Sequence, residues 1–427
     1  MTSQEAVDYV SGLTEMSIKP GLERIAEALA VLGYPFSEYP HVLIGGTNGK
    51  GSTLTFMGAV LHAAGYRVGL FTSPHLFSFE ERIRVDSECL PSAVLPALVE
   101  EIRALNIPLS YFEFATAMAL LYFARMKVDV VLLEVGLGGR WDATNATDPL
   151  LSIITGVALD HTEWLGSSLE AIAGEKAQIM RSGRSVVAGR LPEKAEMIVL
   201  REAAARGSDV VLFNRDFSIR SGPNGLIYRG RSWRLEGIVS GLGGEFQQDN
   251  AGCALAALER LEECGFHFSR KAVLQGVREA VWPGRFQLVL RPGRAGIVVD
   301  SAHNPSGMRA LVHSLPEEAK PPVWLISALR EKDIRGMAGE IAQSGGPVFL
   351  VPLDHPRAMD VQEMPGCFEA AGTRSNVCPS VEAGLSEAEH RAAEGGGMVV
   401  VAGSVVLAAR VLELCSSGSG RPTENVS

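Results

Sequence analysis

Seven strand-like runs rich in apolar residues, separated by stretches of helical periodicity, constrain this chain more than any other feature. They are HVLIGG at 41–46, VDVVLLEVG at 128–136, LLSIITGVAL at 150–159, GIVVDSAHN at 296–304, PVWLISAL at 322–329, PVFLVPL at 347–353 and MVVVAGS at 398–404. A strand that is apolar on both faces belongs in a parallel sheet covered on both sides. Between the runs lie helical patterns, such as Leu22, Ile25, Ala26, Leu29 and Leu32 on one face, and helices over about 52–64, 114–126 and 247–265. Strand and helix in alternation predict an α/β, doubly wound fold. Ligands of such folds sit beyond the carboxyl ends of the strands. Three polar groupings fall at such ends: the 45–53 loop, Glu134, and Asp160-His161.

The first run ends in Gly46-Thr47-Asn48-Gly49-Lys50-Gly51-Ser52-Thr53. Strand, glycine turn and helix start form a phosphate cradle, with backbone N–H groups and the helix dipole facing the anion and Lys50 adding a point charge. Ser52 or Thr53 can then offer a hydroxyl to Mg²⁺. The strict Walker pattern fails here, because Ile44 stands at its first glycine and Gly51 separates Lys50 from Ser52. The bland alternative is a glycine turn that merely caps a helix.

With 427 residues, two domains are expected: 1–284 carrying the phosphate loop, with a small β excursion near 209–245, and a smaller Rossmann-like domain over 285–415. The polar, small-residue tail 416–427 reads as disordered. The balance of 39 Lys+Arg against 49 Asp+Glu argues against a general nucleic-acid binder. Six scattered cysteines with no C-x-x-C read as reduced thiols. No signal peptide and no apolar stretch of membrane-spanning length is visible, so no membrane role and a cytoplasmic location are expected. A monomer is the starting expectation.

The G-T-N-G-K-G-S/T loop resembles that of the Mur ligase superfamily. The other blocks narrow the likeness to folylpolyglutamate synthase/dihydrofolate synthase: IKPGLERI at 18–25, TSPHLFSFEERIRVD at 72–86, YFEFATAMALLYF at 111–123, LEVGLGGRWDATNA at 133–146, VALDHTEWLGSSLEAIAGEKAQIMR at 157–181, PGRFQ at 283–287, DSAHNPSGM at 300–308 and AGSVVLA at 402–408. The resemblance implies a P-loop ATPase domain followed by a Rossmann-like ligase domain. It also implies ATP and two Mg²⁺ ions. Phosphorylation of a carboxylate from dihydropteroate or a folate would precede attack by the amine of L-glutamate.

The same resemblance implies roles for particular residues, each set against a plainer reading. Thr47 through Thr53 would hold the phosphates. Glu134 would be an Mg²⁺ ligand rather than a loop cap, since a charge there is costly unless paired. Ser52 and Ser73 would join it, though Ser73 also reads as a turn serine before Pro74. His161 would serve a second metal, although a lone histidine is usually structural and magnesium prefers oxygen. Lys176 would be carbamylated by CO₂ and serve that metal too; its plain reading is a solvated helix lysine. Ser110, Phe112, Asp142 and Ala143 would line the pteroate pocket, with Arg82 on the pterin or the glutamyl chain. Phe112, like most such aromatics, reads more readily as core, and the run around Arg82 reads also as a solvated charged face. Asn250, Arg285, Asp300 and His303 would close on ATP or the reaction centre, with Lys50, Lys176, His303 and Arg285 as the catalytic set. Asp300 reads alternatively as the cap of a helix starting near Pro305. Ser404 is a further candidate near the amino-acid substrate.

The rivals are a peptidoglycan-precursor ligase, for which only about 44 residues precede the loop in place of an ordinary extra domain, and a P-loop ATPase that ligates nothing. Whether dihydropteroate, folyl substrates or both are used is open at this level.

Overall fold

The computed structural model describes residues 1–13 and 20–417, in two compact units. The 18–25 block begins outside the described residues, and the tail lies almost wholly beyond them.

The first unit comprises 1–158, 165–240 and 249–280. Its eight-stranded sheet uses β1 (His41–Gly45), β2 (Val68–Phe71), β3 (Ile83–Val85), β4 (Glu88–Cys89), β5 (Val130–Glu134), β6 (Leu151–Ile154), β7 (Ser185–Ala188) and β8 (Val210–Leu212). Their order is β4-β3-β2-β5-β1-β6-β7-β8. The six strands from β2 to β8 in that order run parallel, and the β3–β4 ribbon is antiparallel at one edge. The apolar runs at 41–46, 128–136 and 150–159 supply the three central strands, and their residues are buried throughout. Central position explains the composition, since both faces are covered. A separate antiparallel ribbon, β9 (Ser218–Gly222), β10 (Gly225–Arg229) and β11 (Arg234–Ile238), accounts for the Gly- and Arg-rich segment.

The second unit comprises 159–164, 241–248 and 281 onward. It takes two short segments that lie, in the sequence, inside the stretch expected to form the first domain. Its sheet has the order β12-β13-β17-β14-β15-β16, with β12 (Gln287–Val289), β13 (Ile297–Val299), β14 (Val323–Ile326), β15 (Val348–Leu350), β16 (Ser375–Val377) and β17 (Val399–Ala402). Only β12 is antiparallel to its neighbour. Trp324, Ile326, Met337, Phe368 and Val400 anchor its core.

Helix limits differ modestly from the periodicity. The helix after the phosphate loop begins at Lys50 rather than Ser52 and ends at Ala63, because Gly49, at φ +87°, is the residue before its first turn. The helix expected from 114 starts at Tyr111, where Ser110 and Glu113 form a reciprocal capping box.

Candidate active site

Strand register alone assembles the first unit's polar residues. Ile44 of β1 pairs with Glu134 of β5, so the carboxylate stands beside the strand that feeds the glycine loop. Phe71 of β2 pairs with Leu133, which brings Thr72-Ser73 alongside Glu134. Gly45 pairs with Ile154 of β6, placing Thr155 next to Gly46.

Three neighbours hold the loop from outside. The Thr155 hydroxyl lies 2.6 Å from the Asn48 carbonyl oxygen. Gly46 leaves room for it: a Cβ there would lie 2.0 Å from Thr155 Oγ1, and its φ is +145°. Thr47 accepts through Oγ1 from the Ala158 N–H at 3.1 Å, and its own N–H donates to the Gly156 carbonyl at 2.8 Å. Asn250 packs on the far side, its Oδ1 2.2 Å from where a Gly49 Cβ would sit. The adjacent Asp249 is held by Arg190 in a bidentate pair at 2.7 and 3.2 Å.

Lys50 donates to the Thr47 carbonyl at 3.2 Å, and its Nζ lies 3.9 Å from Glu134 Oε1. Glu134 is 3% exposed and also accepts the Ser73 N–H at 3.1 Å. Lys176 ends its helix (Leu169–Lys176) and is 4% exposed, with Nζ donating to the Gly46 carbonyl at 2.9 Å. It is therefore no solvated helix lysine.

Among the described residues no three His, Cys, Asp or Glu side chains form a metal-holding group. The donors at Glu134 nevertheless suit one divalent cation. Glu134 is a buried carboxylate, Ser52 is buried in the first turn of the helix after the loop, and the buried Thr53 Oγ1 has no hydrogen-bond partner. Magnesium characteristically takes one or two carboxylate ligands and completes its shell with phosphate and water. A second cation does not fit Lys176 as an ammonium; only the carbamylated form supplies an oxygen ligand.

The pocket candidates divide. Phe112 stacks obliquely on Phe71 with ring centroids 5.6 Å apart, and its ring lies 2.7 Å from where a Gly136 Cβ would be. Asp142 is buried and accepts from the Leu137 N–H at 2.9 Å, the Thr144 N–H at 3.1 Å and the Thr144 hydroxyl at 2.5 Å. Burial pushes its carboxyl up, against those hydrogen bonds. Ala143 begins the short 3₁₀ turn that Asp142 caps. Arg82 is buried, not on a solvated face: its Nε donates to His75 Nδ1 at 2.8 Å and its guanidinium lies over the Tyr111 ring. Burial first, then the Arg82 charge, lowers His75 to about 4, leaving it a neutral acceptor.

The second unit gathers its own cluster around Asp160, which is nearly buried. Lys332 Nζ donates to Oδ1 at 2.8 Å, Asn304 Nδ2 to Oδ2 at 3.0 Å, and His303 Nε2 lies 3.5 Å from Oδ2. Burial raises the Asp160 carboxyl, but His303, Lys332 and His161 outweigh it and hold it well below the usual carboxylate range. His161, at φ +50°, lies with Nε2 3.4 Å from Lys332 Nζ. Asp300 does not cap the helix at Pro305; Asn304 does, accepting from the Gly307 N–H. Asp300 instead accepts from the Phe286 and Ala302 N–H groups, both at 2.8 Å, with Arg285 nearby partly countering the effect of burial on its carboxyl. The Ser404 hydroxyl accepts from the Val406 N–H at 3.1 Å. Thr155 and Lys332 are not among the residues expected from the sequence: a threonine at a strand end and a lysine in a charged turn carry no signal that sets them apart.

The Mur ligase, glutamate ligase domain family matches residues 284–405. The chain is 34% identical over 376 residues to the Lacticaseibacillus casei folylpolyglutamate synthase, covering 84% of this chain and 87% of that protein. It is 33% identical over 414 residues to the Escherichia coli dihydrofolate synthase/folylpolyglutamate synthase, covering 96% and 94%. Among solved structures, E. coli FolC in complex with DHPP and ADP superposes with a TM-score of 0.87 at 32% identity over 98% of both chains. A bifunctional folylpolyglutamate synthase/dihydrofolate synthase with Mn, AMPPNP and L-glutamate bound gives 0.85 at 31%, over 97% of this chain and 99% of that one. With likeness of this extent in sequence and fold, the chain belongs to the folylpolyglutamate synthase/dihydrofolate synthase family of ligases.

Proposed function

We propose that this protein is an ATP-dependent carbon–nitrogen ligase that adds L-glutamate to dihydropteroate, to the glutamyl terminus of folates, or to both. The observation that carries this is the phosphate loop locked between Thr155 and Asn250, with Glu134 and Lys50 at its mouth. A carboxylate oxygen of the folate-type substrate attacks the γ-phosphorus of ATP, and ADP leaves. The amine nitrogen of glutamate then attacks the acyl carbon, phosphate leaves, and the amine gives up a proton. Thr47 to Thr53 and Lys50 hold and neutralise the phosphates, as a preorganised cradle does. Arg285 and His303 would serve this reaction, Asn250 and Asp300 the nucleotide, and Ser110, Phe112, Asp142, Ala143 and Arg82 the pteroate or folate. Glu134, Ser52 and Ser73 would hold Mg²⁺, which when bound screens the charge of the phosphate oxygens. A second Mg²⁺ would be served by His161 and carbamylated Lys176. The burial of Lys176 against Gly46 supports that reading over a surface role.

The six free cysteines support a reducing, cytoplasmic setting, and the net charge of −10 supports the absence of a nucleic-acid partner. Among the described residues no helix is long and apolar enough to cross a membrane. We read the enzyme as a monomer.

The deciding experiment is phosphate release with ATP and L-glutamate, given dihydropteroate or tetrahydrofolate separately. Release that requires both organic substrates supports the ligase; release indifferent to both makes it a simple ATPase. Lys50→Ala must abolish release with either acceptor.

A further inference from the structure

We propose that Lys332 is a positioning residue for the ligase reaction, fixing the Asp160 carboxylate and through it the His303 and His161 imidazoles. The inference rests on the ligase reading above, and specifically on His303 acting in it.

Lys332 is itself tightly placed. It precedes Asp333, which caps the helix Ile334–Ser344 by accepting from the Gly336 N–H at 2.8 Å. The Lys332 N–H donates to the Leu329 carbonyl and the Ile334 N–H to the Lys332 carbonyl. The helix start abuts that of Pro305–Ser314, since a Cβ at Gly336 would lie 2.5 Å from Pro305 Cγ. Two adjoining helix N-termini therefore present Lys332 and Asn304 to one carboxylate, where the helix dipoles also favour an anion. The Lys332 and Asp160 side chains are only 7% and 8% exposed. A pair this dry has a fixed geometry, and removing one partner leaves the other uncompensated.

Each oxygen of Asp160 has a distinct task. Oδ1 takes Lys332 and the backbone N–H of His161, the latter at 2.9 Å, so it fixes the left-handed turn that carries the His161 ring. Oδ2 takes Asn304 and faces His303 Nε2. The other ring nitrogen of His303, Nδ1, lies 2.9 Å from the Ser301 carbonyl, which can only accept, so Nδ1 carries a proton. The His303 ring is thus held at both nitrogens, and Lys332 anchors the carboxylate on one side. No contact of Lys332 with a reacting atom is needed.

The test uses the full-length enzyme with ¹⁵N-labelled histidine. Lys332→Met should lower kcat about 100-fold while KM for ATP changes less than threefold, and it should shift the ring nitrogen signals of His303 and His161. Lys332→Arg, which keeps the charge, should recover at least a tenth of the lost rate and part of the signal positions. If Lys332→Met does not fold, the ring signals of Lys332→Arg decide, since moving the cation must displace them. His303→Ala combined with Lys332→Met should be no slower than the slower single variant. If His303→Ala alone keeps full ligation, the role of His303 is misassigned. If His303→Ala is inactive but Lys332→Met keeps kcat and both ring signals, Lys332 is structural and the proposal is overturned.

Discussion

The hydroxyl of Thr155 and the carbonyl of Asn48 face each other at 2.6 Å, across 107 positions of sequence, and that bond reaches into the centre of the phosphate loop. The hydroxyl donates from the end of β6, next to the strand that feeds the loop, so the sheet fixes the shape of the cradle before nucleotide arrives. Thr155→Val keeps the shape of the side chain and removes the donor. An unmade buried hydrogen bond costs about 1–3 kcal/mol, which converts to a roughly 5- to 150-fold loss of ADP affinity. Thr155→Ser should bind close to wild type. Titration calorimetry with ADP checks both, and equal affinity for Val and Thr would show that the loop holds itself.

Lys176 tests the metal reading directly. Its ammonium donates to the Gly46 carbonyl from a buried position. Carbamylation converts that cation to an anion, while the one hydrogen left on Nζ can still donate to the Gly46 carbonyl. The expectation is that ¹³C-bicarbonate gives a carbamate signal that Lys176→Met lacks, and that turnover falls when bicarbonate is stripped. The variant should lose on the order of 100-fold in kcat, the scale of one lost electrostatic contact in a dry site. A bicarbonate-independent wild type with no carbamate signal would refute the modification.

Much of this arrangement is legible in sequence, and the gaps have physical causes. The runs at 41–46, 128–136 and 150–159 announce central parallel strands because burial on both faces leaves no polar alternation. The glycine loop and Glu134 are visible for the same reason: they interrupt apolar strands at their ends. Lys176 and Arg82 look like solvated charges because helix periodicity does not reveal what a long side chain reaches. Lys332 is hidden more thoroughly, in a turn among Arg330, Glu331 and Asp333, where any of four charges looks equally exposed. The capping of the helix at Pro305 by Asn304 rather than Asp300 turns on which residue immediately precedes the first turn, and both are suitable types. Which residues belong to the second unit is invisible locally, since segments 159–164 and 241–248 join it from far upstream.

Acid sensitivity should trace to His41 at the start of β1. It is buried beside the rings of Phe36 and Tyr39. Burial lowers it to about 4 from 6.5, against the opposing effect of the Tyr39 backbone. The unfolded chain thus binds this proton at higher pH than the native one. The stability held by a neutral His41 is complete above about pH 6.5 and is lost progressively as pH falls toward 4. The total is on the order of 3 kcal/mol, at 1.36 kcal/mol per unit. Urea unfolding of His41→Phe should therefore show a flatter stability profile between pH 6.5 and 4 than the wild type. Parallel profiles would exclude His41 as the source.

Gly49 is a position where substitution should be poorly tolerated for nucleotide binding, for two separable reasons. Its φ of +87° disfavours any side chain, and a Cβ would meet Asn250 Oδ1 at 2.2 Å. Backbone strain of this kind costs about 1–3 kcal/mol, and the collision also drives Asn250 from its place against the loop. Gly65 provides the comparison: its φ is +93°, yet a Cβ there meets nothing within 4 Å. Gly65→Ala should lower Tm through strain alone and leave ADP affinity intact. Gly49→Ala should weaken ADP about 10- to 100-fold, the equivalent of 1.4 to 2.8 kcal/mol. ADP binding by Gly49→Ala as tight as that by Gly65→Ala would mean that neither the strain nor the contact with Asn250 controls the loop.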